Sequence, residues 1–396
     1  MKKWISVAIF FYCGNIIFAQ KKSEGDLIQI IFTSDAHYGI SRKEFRGDTN
    51  VQAQVVNRAM IESINSLPGT RLPYDKGVDA GNKMDAVDYV VEGGDIANRM
   101  EPPVQSAAIS WNQFDFDYIK GIHLKNYQGQ PTQLLIIPGN HDISNAIGFY
   151  KTMNPRIDRT SMVQIYNLMM QPQVPKTNDT YNYNTDRINY SKDMGGIHFL
   201  FITLWPDSLE RIWMDHDLDK ISPRTPVIIF THDEPICEAK HFTNPNPGYT
   251  INGRDRFENL LAEQYKDSTE AKKDNGSTIL EQNGWVAFLK RHPNIKAYFH
   301  GNNNYNQFYV YRGPDNDVSL PVFRVDSPMK GKYSKNGEKK LSFLVISINT
   351  RSKMMTVRQC FWNKDPKNPG NPVQWGTSET ISLNFSALRL KLLPNG

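Results

Sequence analysis

Apolar runs rich in Ile, Val and Phe recur along the chain, each followed by polar or glycine-containing residues and then often by a helical spacing. Leu27–Thr33 (LIQIIFT), Val87–Val91, Leu134–Pro138 (LLIIP), Ile197–Trp205 (IHFLFITLW), Val227–Thr231 (VIIFT) and Ile295–His300 (IKAYFH) are short and continuous, the pattern of buried strands. Between them, Val51, Val55, Ala59, Met60, Ile64 and Leu67 keep a helical period, with Asn50 as cap and Pro68 as stop. After Pro102-Pro103, apolar residues at 104, 107, 108, 111, 114 and 118 predict a second amphipathic helix, and Phe257–Tyr265 and Trp285–Leu289 predict two more. From about residue 305 the pattern turns all-β: Gln307–Tyr311, Leu320–Val325, Leu341–Ile348 and Met354–Trp362, with turns at Gly313–Asp317 and Asn363–Gly370. Strand–helix alternation followed by a strand-rich tail predicts α/β layers, with the C-terminal strands forming a second sheet against the first. The polar, aromatic stretches Gln171–Asn189 and Glu238–Gly253 read as surface insertions near strand ends.

Composition narrows this picture only a little. The chain has 396 residues, 39% apolar and 22% charged, enough for a sizeable core. No linker, internal repeat or low-complexity tract divides it, so residues 20–396 are expected to form a single domain. The formal charge of +5 is a weak excess for this length, and no stretch resembles a nucleic-acid-binding arm. Residues 1–19 stand apart. Lys2 and Lys3, the apolar run Trp4–Tyr12 and the small residue Ala19 describe a signal peptide, so the protein is expected to be secreted or periplasmic. A transmembrane anchor needs about 20 apolar residues, and Asn15 interrupts this run. A lipoprotein site at Cys13 is disfavoured by the bulky Phe11-Tyr12 before it. Removing the leader leaves Cys237 and Cys360, either as a disulfide or as two buried thiols.

The chemistry lies just past the strands. Asp35 and His37 follow the first strand, Gly94-Asp95 the second, Gly139-Asn140-His141-Asp142 the third, and His232 the run Val227–Thr231. Each piece alone is commonplace. Together, in this order and at strand ends, they offer a mixed oxygen and nitrogen donor set that suits Mn, Fe, Zn or Mg.

This set resembles the calcineurin-like metallophosphoesterase superfamily, over residues 35 to about 305. The resemblance implies a four-layer α/β/β/α sandwich with two mixed sheets and two divalent metal ions, and a phosphorylated small molecule or phosphodiester as substrate. Asp35 and His37 would hold one ion, Asn140 and His232 the other, and Asp95 would bridge them. His141 would act as general acid toward the leaving group, oriented by Asp142, while metal-activated hydroxide attacks phosphorus. The purple acid phosphatase branch carries a tyrosine three residues after the bridging Asp; here the residue is Asn98, a poor match to that branch.

One motif departs. Where the superfamily has Gly-His-x-His, this chain reads Gly301-Asn302-Asn303-Asn304. Three readings follow. Asn302 and Asn304 ligate through amide oxygens, shifting preference from Zn toward Mn, Mg or Ca. His300, two residues before Asn302, compensates. Or one ion is lost and the protein is a weak or inactive phosphoester binder. Tyr181, Tyr183, Trp205, His241 and Tyr305 are candidates for stacking on a substrate, and Asp207 and Asp326 are strand-end carboxylates that could face the site.

Overall fold

The computed structural model describes residues 25–98, 105–144, 159–183, 185–237 and 279–385. The signal peptide, the predicted helix at 257–265, the insertion 238–253 and His241 lie outside the described residues. No described helix is long and apolar enough to cross a membrane.

In chain order the elements are β1 (Leu27–Thr33), the hairpin β2 (Ser41–Phe45) and β3 (Asp48–Gln52), α1 (Ala53–Asn65), β4 (Tyr89–Glu92) and α2 (Ala107–Phe114), which runs into a π-helical turn at Asp115–Ile119. Then come β5 (Gln133–Ile136), α3 (Asn140–Ser144), α4 (Thr160–Met170), β6 (Tyr190–Met194), β7 (Ile197–Phe201), α5 (Ser208–Leu218), β8 (Val227–Phe230), α6 (Ile279–Arg291) and β9 (Ile295–His300). The chain ends in β10 (Gln307–Tyr311), β11 (Leu320–Arg324), β12 (Ser342–Asn349), β13 (Met354–Phe361) and β14 (Gln374–Ser382).

Two six-stranded mixed sheets result, ordered β14-β13-β12-β1-β4-β5 and β10-β11-β9-β8-β7-β6. The expectation of a separate C-terminal sheet is therefore corrected. β10 and β11 extend the second sheet, whereas β12 pairs antiparallel with β1 and brings β13 and β14 to the first. The reason is register. Ile28, Ile30 and Phe32 of β1 and Leu344, Ile346 and Ile348 of β12 point to one face, and that face needs a partner. It finds one in Phe199, Phe201, Ile228, Phe230 and Phe299 of the second sheet. Phe32 meets Phe230 and Phe299 edge-on, with ring centroids 5.3 and 5.8 Å apart.

Helices cover the outer faces. Val56, Met60 and Ile64 of α1 pack with Ile31 and Val90, and Met214 of α5 and Trp285 of α6 pack with Ile229 and Tyr298. α1 starts later than its periodicity predicts, because Val51 belongs to the β2–β3 hairpin. Its N-cap is Gln52 rather than Asn50, without a side-chain cap bond. α2 is capped conventionally, Ser106 Oγ accepting from the Ile109 amide at 3.3 Å.

Candidate metal centre

Strands β1, β4 and β5 run parallel, as do β7, β8 and β9, so their carboxyl ends gather at one edge of each sheet. Every proposed ligand lies just beyond such an end, in the loop or, for Asn140, at the start of α3. The loops adopt backbone conformations that L-residues seldom use: φ is +61° at Asp35, +46° at His37 and +58° at Asp95. Backbone bonds lock them together. Asp35 N donates to Gly94 O at 2.8 Å, His37 N to Asp95 O at 2.9 Å and Tyr38 N to Ile96 O at 2.8 Å. Gly94, with φ +98°, lies against the Gly139 backbone so closely that a Cβ there would overlap it. Gly301 is similarly confined by Ser34 and Asp35.

The resulting side chains face one another inside the protein. Among the described residues, His37, Asp95 and His141 form one set, and Asp35, Asp95 and His232 another, with ligand atoms of each set within 4.8 Å of one another. Asp95 is common to both. Its Oδ1 lies 3.4 Å from His232 Nε2, and its Oδ2 lies 3.8 Å from both His37 Nε2 and His141 Nε2. Asp35 Oδ1 and His37 Nε2 lie 3.5 Å apart and join the sets. His232 Nδ1 faces the Gly93 carbonyl at 2.7 Å, which places a proton there and turns Nε2 toward Asp95. Asn140 Oδ1 lies 3.1 Å from His232 Nε2; turned over, its amide nitrogen lies 3.3 Å from each Asp95 oxygen.

These donors fit a cation. Asp35 Oδ1 and His37 Nε2 are buried without a hydrogen-bond partner, and such orphaned lone pairs are costly unless something electropositive meets them. Within this cluster of side chains alone, burial lowers the His37 pKa, reinforced by the charge of Lys330. Burial acts against ionisation of Asp95, but the imidazoles of His232 and His141 outweigh it and hold the carboxyl well below its usual range. Burial also opposes protonation of His232, yet the Asp95 and Asp35 carboxylates push it up to about 10.

Asp142 is placed elsewhere than beside the His141 ring. Its carboxylate accepts from the amides of Ile96 and Ala97 at 3.2 Å and of Gly139 at 3.0 Å, tying the two loops together. The His141 amide donates to Asp95 Oδ1 at 2.8 Å.

Past β9 the geometry changes. The Asn302 amide donates to Asp35 Oδ2 at 3.0 Å, which brings this loop to the cluster. Its carboxamide nitrogen donates to Asp233 Oδ1 at 2.9 Å. The Asn304 carboxamide nitrogen bonds the Asn302 carbonyl, and its Oδ1 is buried without a hydrogen-bond partner. His300 does not compensate: its Nδ1 lies 3.1 Å from the Gly301 carbonyl and its Nε2 3.0 Å from the Tyr309 hydroxyl. The strand ends at His300, and Gly301 breaks the two-residue alternation that would have aligned it with Asn302.

The remaining candidates divide similarly. Asp207 caps α5, accepting from the Glu210 amide at 2.9 Å. Tyr181 and Trp205 are packing residues whose polar atoms donate to the Asp186 and Pro235 carbonyls at 2.7 and 3.2 Å. Asp326 is buried, and burial pushes its carboxyl up to about 8. Cys237 and Cys360 are both buried and are not joined in a disulfide. Residues to which the sequence assigned no role at the site also matter. Asp233 holds Asn302, Ser327 Oγ donates to the Asp35 carbonyl at 2.8 Å, and the Asn98 carboxamide lies 3.3 Å from His37 Nδ1. Asp233 carried a signal in being next to His232, and Asn98 in its place three residues after Asp95; Ser327 carried none.

A shared carboxylate between two donor sets, at the strand ends of a two-sheet α/β fold, is the layout of a dinuclear metal protein. The chain belongs to the calcineurin-like phosphoesterase family, whose sequence model matches residues 28–316. No curated protein matches the chain in sequence. Among solved structures it is similar to a conserved uncharacterized protein of Streptococcus pneumoniae, a predicted phosphoesterase, at 9% identity and TM-score 0.29, covering 90% of this chain and 98% of that one. It is similar to phosphopantetheinyl hydrolase of Mycobacterium tuberculosis at 11% identity and TM-score 0.34, covering 77% and 91%. Vps29 of Entamoeba histolytica follows at 7% identity and TM-score 0.31, covering 91% and 100%. At such values, family membership stands on the sequence match.

Proposed function

We propose that this protein is an exported, metal-dependent phosphoesterase. The observation that carries the proposal is the convergence of two buried His/Asp sets on Asp95, with Asp35 Oδ1 and His37 Nε2 lacking hydrogen-bond partners. Asp35, His37 and Asp95 would hold one divalent cation, and Asp95, Asn140 and His232 a second. Two bound cations supply Lewis acidity at the phosphoryl oxygens and a water acidified enough to be a nucleophile near neutral pH. His141 carries the proton that the leaving oxygen takes, its backbone fixed by the Asp95 carboxylate. Asp142 keeps the Asp95 and His141 loops in register. Export is supported by the leader pattern of residues 1–19.

A second reading has its own observation: where the family carries imidazoles this chain has carboxamides, and the Asn302 carboxamide is oriented by its N–H bond to Asp233 rather than offering a ring nitrogen. On that reading the protein binds phosphoesters with little or no turnover. The two are separated by purifying the secreted form, measuring bound metal, and assaying phosphomonoesters and phosphodiesters with Mn, Mg, Zn or Ca. The enzyme reading expects metal-dependent hydrolysis that disappears in Asp95→Ala and His141→Ala. An inactive wild type with every metal, together with activity gained in Asn302→His/Asn304→His, establishes the binding reading instead.

A further inference from the structure

A strap of chain beside the cluster has no part in the roles above. Residues 330–340 read KGKYSKNGEKK, five lysines against one glutamate. Backbone bonds sew the strap to the site. Ser327 Oγ, which donates to the Asp35 carbonyl, accepts from the Lys330 amide at 2.9 Å, and the Lys332 amide donates to the Asn304 carbonyl at 2.6 Å. The charge of Lys330 is felt at His37.

Two tyrosines stand over this junction. Tyr305 directly follows Asn304, and Tyr333 on the strap is 52% exposed. Their rings meet edge to face, with centroids 5.5 Å apart. Cations surround them: Arg324 lies 3.5 Å over Tyr305, Lys332 lies 4.7 Å from Tyr305 and 5.4 Å from Tyr333, and Lys340 lies 5.9 Å from Tyr333. A half-exposed ring braced by a second ring is a platform for a flat ligand, and the lysine ammonium groups over it, displaceable by the base, favour a ligand that also carries negative charge. A small uncharged alcohol would use neither.

We propose that Tyr333, braced by Tyr305 and flanked by Lys332 and Lys340, is a leaving-group subsite for a nucleoside bearing a second phosphate. The scissile phosphate lies at the Asp95 cluster, the base stacks on Tyr333, and the second phosphate meets the two lysines. The step is hydrolysis: a water oxygen bonds phosphorus, the ester P–O bond breaks, and the leaving oxygen takes a proton, with no further reactant. The name "leaving group" rests on the phosphoesterase reading; binding at the subsite does not.

Calorimetry on the full chain in EDTA, with adenosine 3′,5′-bisphosphate, adenosine 5′-phosphate and ribose 5-phosphate as probes, tests the subsite without metal. The bisphosphate is expected to bind tightest and ribose 5-phosphate weakest. Tyr333→Leu should weaken both adenine probes about tenfold and leave ribose 5-phosphate unchanged, with Tyr333→Phe restoring them. Lys332→Gln/Lys340→Gln should abolish the gap between the two adenine probes. Undetectable bisphosphate binding, equal binding of ribose 5-phosphate and the nucleotides, or an unchanged affinity in Tyr333→Leu overturns the proposal. The same substrates assayed with Mn keep the two ideas apart. Turnover of ribose 5-phosphate and adenosine 5′-phosphate at equal kcat/KM, indifferent to Tyr333, retains the enzyme and rejects the subsite. No turnover of any phosphoester, with the expected binding pattern in EDTA, rejects the enzyme and retains the subsite.

Discussion

Around Asp95 carboxylates and imidazoles converge on one another, whereas past β9 the Asn302 and Asn304 carboxamides turn their N–H groups onto neighbouring protein oxygens. In the first region carboxylates and imidazoles converge in two donor sets, and Asp35 Oδ1 and His37 Nε2 are left without a hydrogen-bond partner that a cation would supply. In the second, the carboxamide N–H groups are met by protein oxygens, and Asn304 Oδ1 remains buried without a hydrogen-bond partner. The contrast teaches that ligand identity is not enough. What distinguishes a metal-binding edge is whether its acceptors have been left without donors.

The comparison breaks most sharply at Asp95. Asp95→Ala should strip both cations and lower turnover by on the order of 10⁴-fold, read by elemental analysis and rate together. Retained metal at normal stoichiometry would end the idea of a shared carboxylate. His141→Ala should leave metal content near that of the wild type while kcat falls about 10²-fold or more; a matching loss of metal would move His141 into the ligand set. Asp142→Ala strands three backbone amides, so unfolding in denaturant should show a loss of about 3 kcal/mol. A loss of rate without a loss of stability would instead favour a direct role on the His141 ring. Asn302→His/Asn304→His should move selectivity from Mn toward Zn by about tenfold in competitive metal titrations, since imidazole is the softer donor. Tyr309→Phe should do least: it removes the partner of His300 Nε2, about 1 kcal/mol of stability, with metal content unchanged. Depleted metal in that variant would restore His300 as a ligand.

What could be read from the sequence follows from how each element satisfies itself. β9 and β10 match their predicted limits because their apolar runs are bounded by turn residues at both ends. β2 and β3 escaped detection, since SRKEF and DTNVQ pair only with each other and present mostly polar side chains. α5 escaped as well, because its buried positions include Glu210 and Asp217 beside Met214 and Leu218, and buried carboxylates do not count toward an apolar stripe. In the site, Asp35, His37, Asp95, Asn140, His141 and His232 were legible as strand-end donors and are brought together. The destinations of Asp142 and His300 were not, since both depend on backbone groups that no residue type announces. Nor was the division of the C-terminal strands between the two sheets, which hinges on β12 finding β1.

That last pairing has a consequence for how the protein is made. Leu27 lies beside Asn349, so one neighbour of the strand that delivers Asp35 is the last part of the sheet but two to be synthesised. Contacts of such sequence separation form late in folding. A chain still on the ribosome, or halted before Ser342, has β1 without this flank and the Asp35 loop without its anchored base. The protein therefore remains incomplete until nearly all of it has emerged.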